Sequence, residues 1–396
     1  MFVRQKIVLV QDRNLSALPP LITVVDVLSR VHDVTVFTSW KNSPEVEKMK
    51  ERGVKFYFYR EDKFDAGNRG LFSAIKVLYL KFREALWFRK QIREKVKNKE
   101  CDLCWVGSSE TAFLLKGLLP SQTYVVCAYE LMENSPWSRF FLRNFYRSAK
   151  AVVVPEYNRA YILQVLMRLA SRPCVIPNKP EFDFLLQEGS SGRPSKKTIL
   201  YQGIFDPQER KLDAFCEAVD SLYPEYELLL LGNKTGYVDF LCEKYKGTRF
   251  GGYFPAPAHL KKTKEAYIGI ATYKPTSLNS IYCAPNKIWE YGGCGVPMLI
   301  NDIPGLTSAL SSWNCSVVVD ENDPCSIVEG IKKISESHSE YVKNARAFYE
   351  SVDVSKEVLC VVEGGESLKF VMRGDSLHAA IGVFARFITV RLYRAL

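Results

Sequence analysis

The chain contains no run of 18 apolar residues, so no transmembrane helix is expected. Its start, Met1 to Val10, passes directly into a strand-like run and lacks the apolar stretch and small-residue cleavage site of a signal peptide. Histidine is scarce: His32, His259, His338 and His378 are scattered, and each reads as structural or exposed. The eleven cysteines are odd in number and irregularly spaced, which fits reduced thiols in a cytosolic protein better than a disulfide framework. Cys101 and Cys104 form one C-x-x-C, but Cys104 lies in the apolar run Leu103 to Val106. With no second pair and no histidine nearby, zinc is not expected. The first strand-to-helix turn, Gln11 to Ala17, holds no glycine, and no G-x-x-x-x-G-K-[ST] occurs anywhere. A dinucleotide-binding oxidoreductase and a P-loop NTPase are thereby excluded.

What is present is ordinary globular material, 47% hydrophobic and 25% charged, which excludes a disordered or collagen-like chain. At 396 residues the chain exceeds what one core usually fills, so two domains are expected. The formal net charge of +10 is local. Arg69 to Lys99 carries ten basic residues against Glu84 and Glu94, and Arg139, Arg143, Arg147 and Lys150 add four more cations with no acid among them. The tail from Arg373 is also basic, which leaves the rest of the chain mildly acidic. Aromatic residues interleave with the first two patches: Phe72, Tyr79, Phe82, Trp87 and Phe88, then Phe140, Phe141, Phe145 and Tyr146. The pattern suits an anionic membrane surface or a nucleic-acid backbone. It also suits an amphipathic helix with its aromatics in the core and its lysines in water.

Short Val/Ile/Leu runs alternate with helical periodicity, which predicts an α/β chain with parallel sheets covered on both faces. Strands are expected at Lys6–Val10, Asp33–Thr38, Val54–Tyr59, Asp102–Gly107, Tyr124–Ala128, Ala151–Val154 and Pro173–Ile176, with a long basic helix over Phe72–Lys97. The polar segment Gln187 to Lys196, rich in Gly, Ser and Pro, reads as a linker. Beyond it the alternation restarts. The expected division is 1–186 as a first Rossmann-like domain, 187–197 as linker, 198–350 as a second Rossmann-like domain and 351–396 as a tail.

The most informative stretch runs from Tyr273 to Met298: a strand end, a polar loop, a helix opened by Pro285, and a Gly-rich turn. Small residues at the helix entrance leave backbone N–H groups free to hold phosphate, and Glu290, one turn in, can accept from a ribose diol. Pro285, Asn286, Lys287, Glu290, Tyr291, Gly295 and Pro297 resemble the P-N-K-[LI]-[FW]-E-Y signature of GT-B glycosyltransferases, in the retaining family-4-like group. Ile199 to Lys211, Tyr226 to Gly232 and Pro173 to Asn178 agree with the same family pattern. The resemblance implies two doubly wound Rossmann-like domains with a cleft between them, 1–186 binding the acceptor and 198–350 the nucleotide sugar. It implies a closing helix, Tyr341–Ser351 or the 351–396 tail, that crosses back to the first domain, unless the tail meets a membrane surface. The donor substrate would be a nucleotide-diphosphate-sugar, with no cofactor. It places Arg210 or Lys211 on the donor diphosphate with Lys287, and it gives Glu290, Asn286, Ser277 and Asn279 to donor binding. The aromatic rings of Tyr253, Phe254 and Tyr273 would stack on the base. No D-x-D occurs, consistent with a metal-independent leaving-group mechanism.

The chain also departs from the family. Tyr282 stands where the first Glu of an E-x7-E pair would fall. Tyr129-Glu130-Leu131 replaces a His-Glu-Leu, and Ile204 replaces a basic residue after the diphosphate-loop glycine. Glu130 is then the candidate that orients or deprotonates an acceptor hydroxyl; it equally reads as an acid at a helix start.

The expectation is a cytoplasmic glycosyltransferase, peripheral at the inner face of the membrane. It would move a sugar to a glycan or lipid-linked acceptor in polysaccharide or glycoconjugate biosynthesis. Nucleic acid is not an expected partner, because nothing resembles a base-reading module. The alternatives are a nucleotide-sugar epimerase of the same fold and a catalytically degenerate subunit that binds a partner.

Overall fold

The computed structural model describes residues 4–15, 18–40, 44–60, 71–181 and 197–364. Arg69, the linker except for Lys197, and the basic tail from Arg373 lie outside the described residues.

The first half alternates strand and helix: β1 (Lys6–Gln11), α1 (Pro19–Ser29), β2 (Asp33–Trp40), α2 (Pro44–Glu51), β3 (Lys55–Arg60), α3 (Leu71–Lys97) and β4 (Leu103–Val106). It continues with α4 (Ser109–Leu115), β5 (Tyr124–Cys127), α5 (Pro136–Ser148), β6 (Ala151–Val154), α6 (Tyr157–Met167) and β7 (Cys174–Val175). Its seven strands lie in the order β3-β2-β1-β4-β5-β6-β7. The second half has β8 (Lys197–Gln202), α7 (Asp213–Ser221), β9 (Tyr226–Leu231), α8 (Gly236–Lys244), β10 (Thr248–Gly252), the single turn α9 (Leu260–Thr263) and β11 (Ile268–Ala271). There follow the single turn α10 (Leu278–Ile281), α11 (Asn286–Cys294), β12 (Met298–Ile300), α12 (Pro304–Leu310), β13 (Ser316–Val318), α13 (Pro324–Glu336), α14 (His338–Glu350) and α15 (Val354–Glu363). Its six strands run β10-β9-β8-β11-β12-β13.

Every ladder is parallel, in register from Lys6 opposite Asp33 in the first sheet and Lys197 opposite Tyr226 in the second. Central strands buried on both faces explain the unbroken apolar runs: β4 and β5 are buried at every position. The molecule is therefore α/β with two doubly wound Rossmann-like domains. In each sheet the strand order reverses beside the first strand, at β1/β4 and at β8/β11. Ligands bind beyond the carboxyl ends of strands at such points.

One core joins the inner faces of the two sheets. Ile7, Leu9 and the apolar side of α1 belong to the same buried cluster as Leu200, Tyr291 and Phe348, and the seam is α15. Its Val354, Val358, Val361 and Val362 recur at helical spacing and are buried, and the helix packs on α1. The crossing expected of Tyr341–Ser351 or the tail is thus made by 354–363. Helix α14 instead packs on α11 within the second half, because Phe348 stacks on Trp289 at 4.3 Å between ring centroids.

Candidate functional site

The second switch point starts from β8. Gln202 ends the strand and Gly203 follows with φ +144°, the left-handed region that disfavours a side chain. A Cβ there would only touch Lys287 Nζ, at 3.4 Å, so it is the backbone conformation that calls for glycine. Across the switch point, β11 ends at Ala271 and delivers Tyr273 beside the same position. Helix α11 then brings in Lys287 and Glu290. It lies tight against the sheet because Gly269 has no side chain: a Cβ would meet the Tyr291 ring at 2.7 Å. Tyr291 Oη donates to the carbonyls of Leu200 at 3.1 Å and Ile270 at 3.3 Å, which fixes the helix on both switch-point strands.

Three of the sequence candidates meet here. Lys287 is 8% exposed, with Nζ 4.4 Å from the Tyr201 ring centroid and 5.4 Å from that of Tyr273. The Arg210 guanidinium lies 4.1 Å over the other partner of that group, the Tyr273 ring. Burial, reinforced by Arg210, pulls the Lys287 ammonium from 10.5 down to about 7, with Glu290 opposing. Burial pushes the Tyr273 phenol well above its ordinary value. Neither cation makes an ion pair among the described residues. No side chain caps the N-terminus of α11 behind them. Two cations with no ion-pair partner among the described residues, beside an uncapped helix start, make a preorganised site for a multivalent anion.

Glu290 is buried at 8% exposure and already engaged. Its Oε2 accepts from Gln202 Nε2 at 2.6 Å, and its Oε1 is 3.2 Å from His259 Nε2. Gln202 Oε1 in turn accepts from Thr263 Oγ1 at 2.7 Å. Each carboxylate oxygen keeps a further lone pair for a ligand hydroxyl. His259 and Gln202 escaped the sequence reading: the histidine lies over thirty positions from Glu290 and inside no motif.

The remaining candidates are placed as follows. Asn286 is half-buried as the first residue of α11. Tyr253, 60% exposed, follows β10. The segment Gly251–Leu260 contributes its first two residues to that strand and its last to α9. Lys211 is exposed and makes no ion pair among the described residues; Arg210, not Lys211, reaches the site. Ser277 caps α10, sharing reciprocal hydrogen bonds with Ser280.

Asn279 is a clasp between the domains. Its Oδ1 accepts from the Leu131 N–H at 2.7 Å, and its Nδ2 donates to the Leu131 carbonyl at 3.0 Å and to Glu133 Oε2 at 3.3 Å. Buried Arg159, from α6, donates to the carbonyls of Tyr282 at 2.6 Å, Asn279 at 2.9 Å and Tyr129. Glu130 therefore sits between Tyr129, held by Arg159 within the first domain, and Leu131, bonded to Asn279 across the interface. It is open to solvent on one side, yet partial burial raises its carboxyl; Arg159 opposes the shift and Glu110 and Glu133 add to it. At the first switch point, Thr111 Oγ1 donates to Asp12 Oδ1 at 2.9 Å, and burial raises that carboxyl too.

The chain matches no protein-family model and no curated protein sequence. Its fold is similar to that of solved structures along most of its length. Sucrose-phosphate synthase from Thermosynechococcus elongatus aligns with a TM-score of 0.65 at 14% identity, over 91% of this chain and 98% of that one. HepE from Anabaena, solved in complex with UDP and glucose, aligns with a TM-score of 0.63 at 12% identity, over 91% and 99%. WaaG, a glycosyltransferase involved in lipopolysaccharide biosynthesis, aligns with a TM-score of 0.58 at 14% identity, over 91% and 100%. At these identities the likeness establishes the fold: the chain has the GT-B architecture.

Proposed function

We propose that the protein is a glycosyltransferase that moves a sugar from a nucleotide-diphosphate-sugar donor to a glycan or lipid-linked acceptor, with retention at the anomeric carbon. The observation that carries the reading is the pairing of Lys287 and Arg210 around Tyr273 at the start of α11, with Glu290 one turn deeper. Breaking a sugar–phosphate bond leaves negative charge on the nucleoside diphosphate, and fixed cations and N–H dipoles in a desolvated site stabilise it. Arg210, Lys287 and the α11 N-terminus take that role, Asn286 flanks them, and Glu290 accepts from a ribose hydroxyl. Tyr273 and Tyr253 offer ring faces to the base, and Ser277 contributes from the loop between them and the interface. Glu130 orients the acceptor hydroxyl. The complex of HepE with UDP and glucose supports a nucleotide-sugar donor, and WaaG supports a place in glycoconjugate or polysaccharide assembly. No helix among the described residues is long and apolar enough to cross a membrane. A lipid-linked acceptor would then be met by a peripheral protein on the anionic, cytoplasmic face, which suits the basic first domain.

A second reading, a nucleotide-sugar epimerase, draws on His259 beside Glu290, the one imidazole among the described residues that reaches the site. A donor-hydrolysis assay across UDP-, GDP- and dTDP-sugars separates the readings. Donor hydrolysis without epimerisation, lost in Lys287→Ala, supports the transferase. Epimerisation without acceptor supports the second reading, and no turnover of any donor points to a partner-binding subunit.

A further inference from the structure

Helix α5 carries apolar residues on both its buried and its exposed sides. Leu142, Phe145 and Tyr146 face inward and are buried. Trp137, Phe140 and Phe141, at the i, i+3, i+4 spacing of a single stripe, face outward at 74%, 65% and 49% exposure. Beside this stripe lies a concavity of about 420 Å³ lined by Lys116, Phe140, Phe141, Arg143, Asn144, Arg147 and Arg168. It holds four cations and no acid. None of the four makes an ion pair among the described residues, and Arg143 Nε is buried without a hydrogen-bond partner. Lys116 Nζ lies 5.2 Å from the Phe141 ring centroid, so cation and ring share one wall. The neighbouring helix carries the same chemistry: Leu78, Tyr79, Phe82 and Leu86 of α3 are exposed. Arg89 of α3 donates to the carbonyls of Leu114 at 2.6 Å and Lys116 at 3.2 Å, which joins that face to the concavity.

We propose that this concavity binds the phosphate of an anionic lipid headgroup, with Trp137, Phe140 and Phe141 entering the membrane interface around it. Charge complementarity selects the anion: four uncompensated cations around one hollow need a partner that brings several acceptor oxygens. The apolar rim selects the lipid. Single-stranded nucleic acid would use the aromatic faces, but it gives no return on exposed Leu78 and Leu86, whereas aliphatic side chains and tryptophan both partition into a bilayer interface. The site is also tied to the chemistry, since Arg139 of α5 donates to the carbonyls of Met132 and Glu133, in the segment that holds Glu130 at the domain interface. A headgroup there sits on the side from which a lipid-linked acceptor would approach. This inference rests on the transferase reading for its purpose, though not for its geometry.

The test is co-sedimentation of the full chain with phosphatidylcholine vesicles, with and without phosphatidylglycerol, at low and high salt. Binding should require phosphatidylglycerol and weaken as salt rises. Arg143→Ala with Arg147→Ala should lower it about 25-fold, at about fivefold per cation. Trp137→Ser with Phe140→Ser should weaken it at both salt concentrations, and circular-dichroism spectra matching the parent's check that both double variants keep the fold. Equal binding by the arginine variant and the parent overturns the site. So does an Arg143-dependent interaction with inorganic phosphate or single-stranded RNA in the absence of vesicle binding. Donor hydrolysis is measured on the same preparations. Hydrolysis without vesicle binding refutes the lipid site alone, and vesicle binding without hydrolysis refutes the transferase reading alone.

Discussion

Arg159 of the first domain donates to the carbonyl of Tyr282 in the second at 2.6 Å, through a guanidinium on a residue only 4% exposed. The same group serves Asn279 and Tyr129, so one side chain fixes the loop that precedes Lys287 and the loop that carries Glu130. Catalysis between two domains depends on holding their reacting groups in register, and a planar five-donor fork is the side chain suited to three carbonyls at once.

Replacing Arg159 by Ala strands those three acceptors, and the expected loss of stability is about 3 kcal/mol. Lysine keeps the charge but reaches fewer carbonyls. Arg159→Lys should therefore fold, with a lowered melting temperature and a kcat for sugar transfer reduced more than its KM for donor. An Arg159→Lys protein with parental Tm and kcat would show the bridge to be dispensable.

The depressed Lys287 sets a pH dependence of definite sign. Its charge is complete below about 7 and is lost as pH rises through that value. Nucleoside diphosphate affinity should fall above pH 7, and binding at pH 8 should take up a proton, readable by titration calorimetry in buffers of different ionisation enthalpy. Stability follows linkage. Between the folded value near 7 and the ordinary 10.5, the unfolded chain binds more protons, so stability rises with pH. Lys287→Met should stabilise most below pH 7, and the gain should shrink toward pH 10. Proton release on binding would contradict this.

Glu290 is expected to matter twice. Its removal leaves Gln202 Nε2 and His259 Nε2 without their acceptor in a buried place, a cost of about 2 kcal/mol. It also removes the acceptor proposed for the ribose. Glu290→Ala should lower both Tm and donor affinity. His259→Ala leaves the Gln202 contact intact and should raise KM for donor by about tenfold, or about 1.4 kcal/mol, with little change in Tm. If His259→Ala and Glu290→Ala prove indistinguishable in donor affinity, the histidine does more than hold the carboxylate.

The parts of this design that were legible in sequence are the local ones. Unbroken runs such as Leu103 to Val106 and Leu228 to Leu231 mark buried parallel strands, and Lys287 and Glu290 share one helix turn at fixed spacing. Strand β10 was missed because Thr-Arg-Phe-Gly-Gly carries no apolar run, and its two glycines read as a turn. The clasp was invisible because Arg159 meets Asn279 across 120 positions, a pairing no local pattern encodes. Charge showed where the basic patches lie but not which rings face out. On α5 helix phase separates exposed Phe140 from buried Phe145 and Tyr146, whereas Phe141 lies on the same face as Phe145 and differs from it only in what packs there.

The seam made by α15 predicts how the molecule unfolds. Because Val354, Val358, Val361 and Val362 close the inner core against α1, the two sheets share buried surface and should melt in one calorimetric transition. Lys150 Nζ adds a hydrogen bond to the Val362 carbonyl at 2.5 Å, and Lys179 Nζ one to that of Val352 at 2.5 Å, so both ends of the crossing are fastened to the first domain. Val358→Ala removes two buried methyl groups and should cost about 2 kcal/mol while keeping a single transition. Val358→Asp buries a charge in the seam itself, and the expected result is two separated transitions, one per sheet, with sugar transfer lost before either sheet melts. A single unshifted transition in the aspartate variant would mean that the domains are joined elsewhere, through the Arg159 bridge and the Asn279 clasp alone.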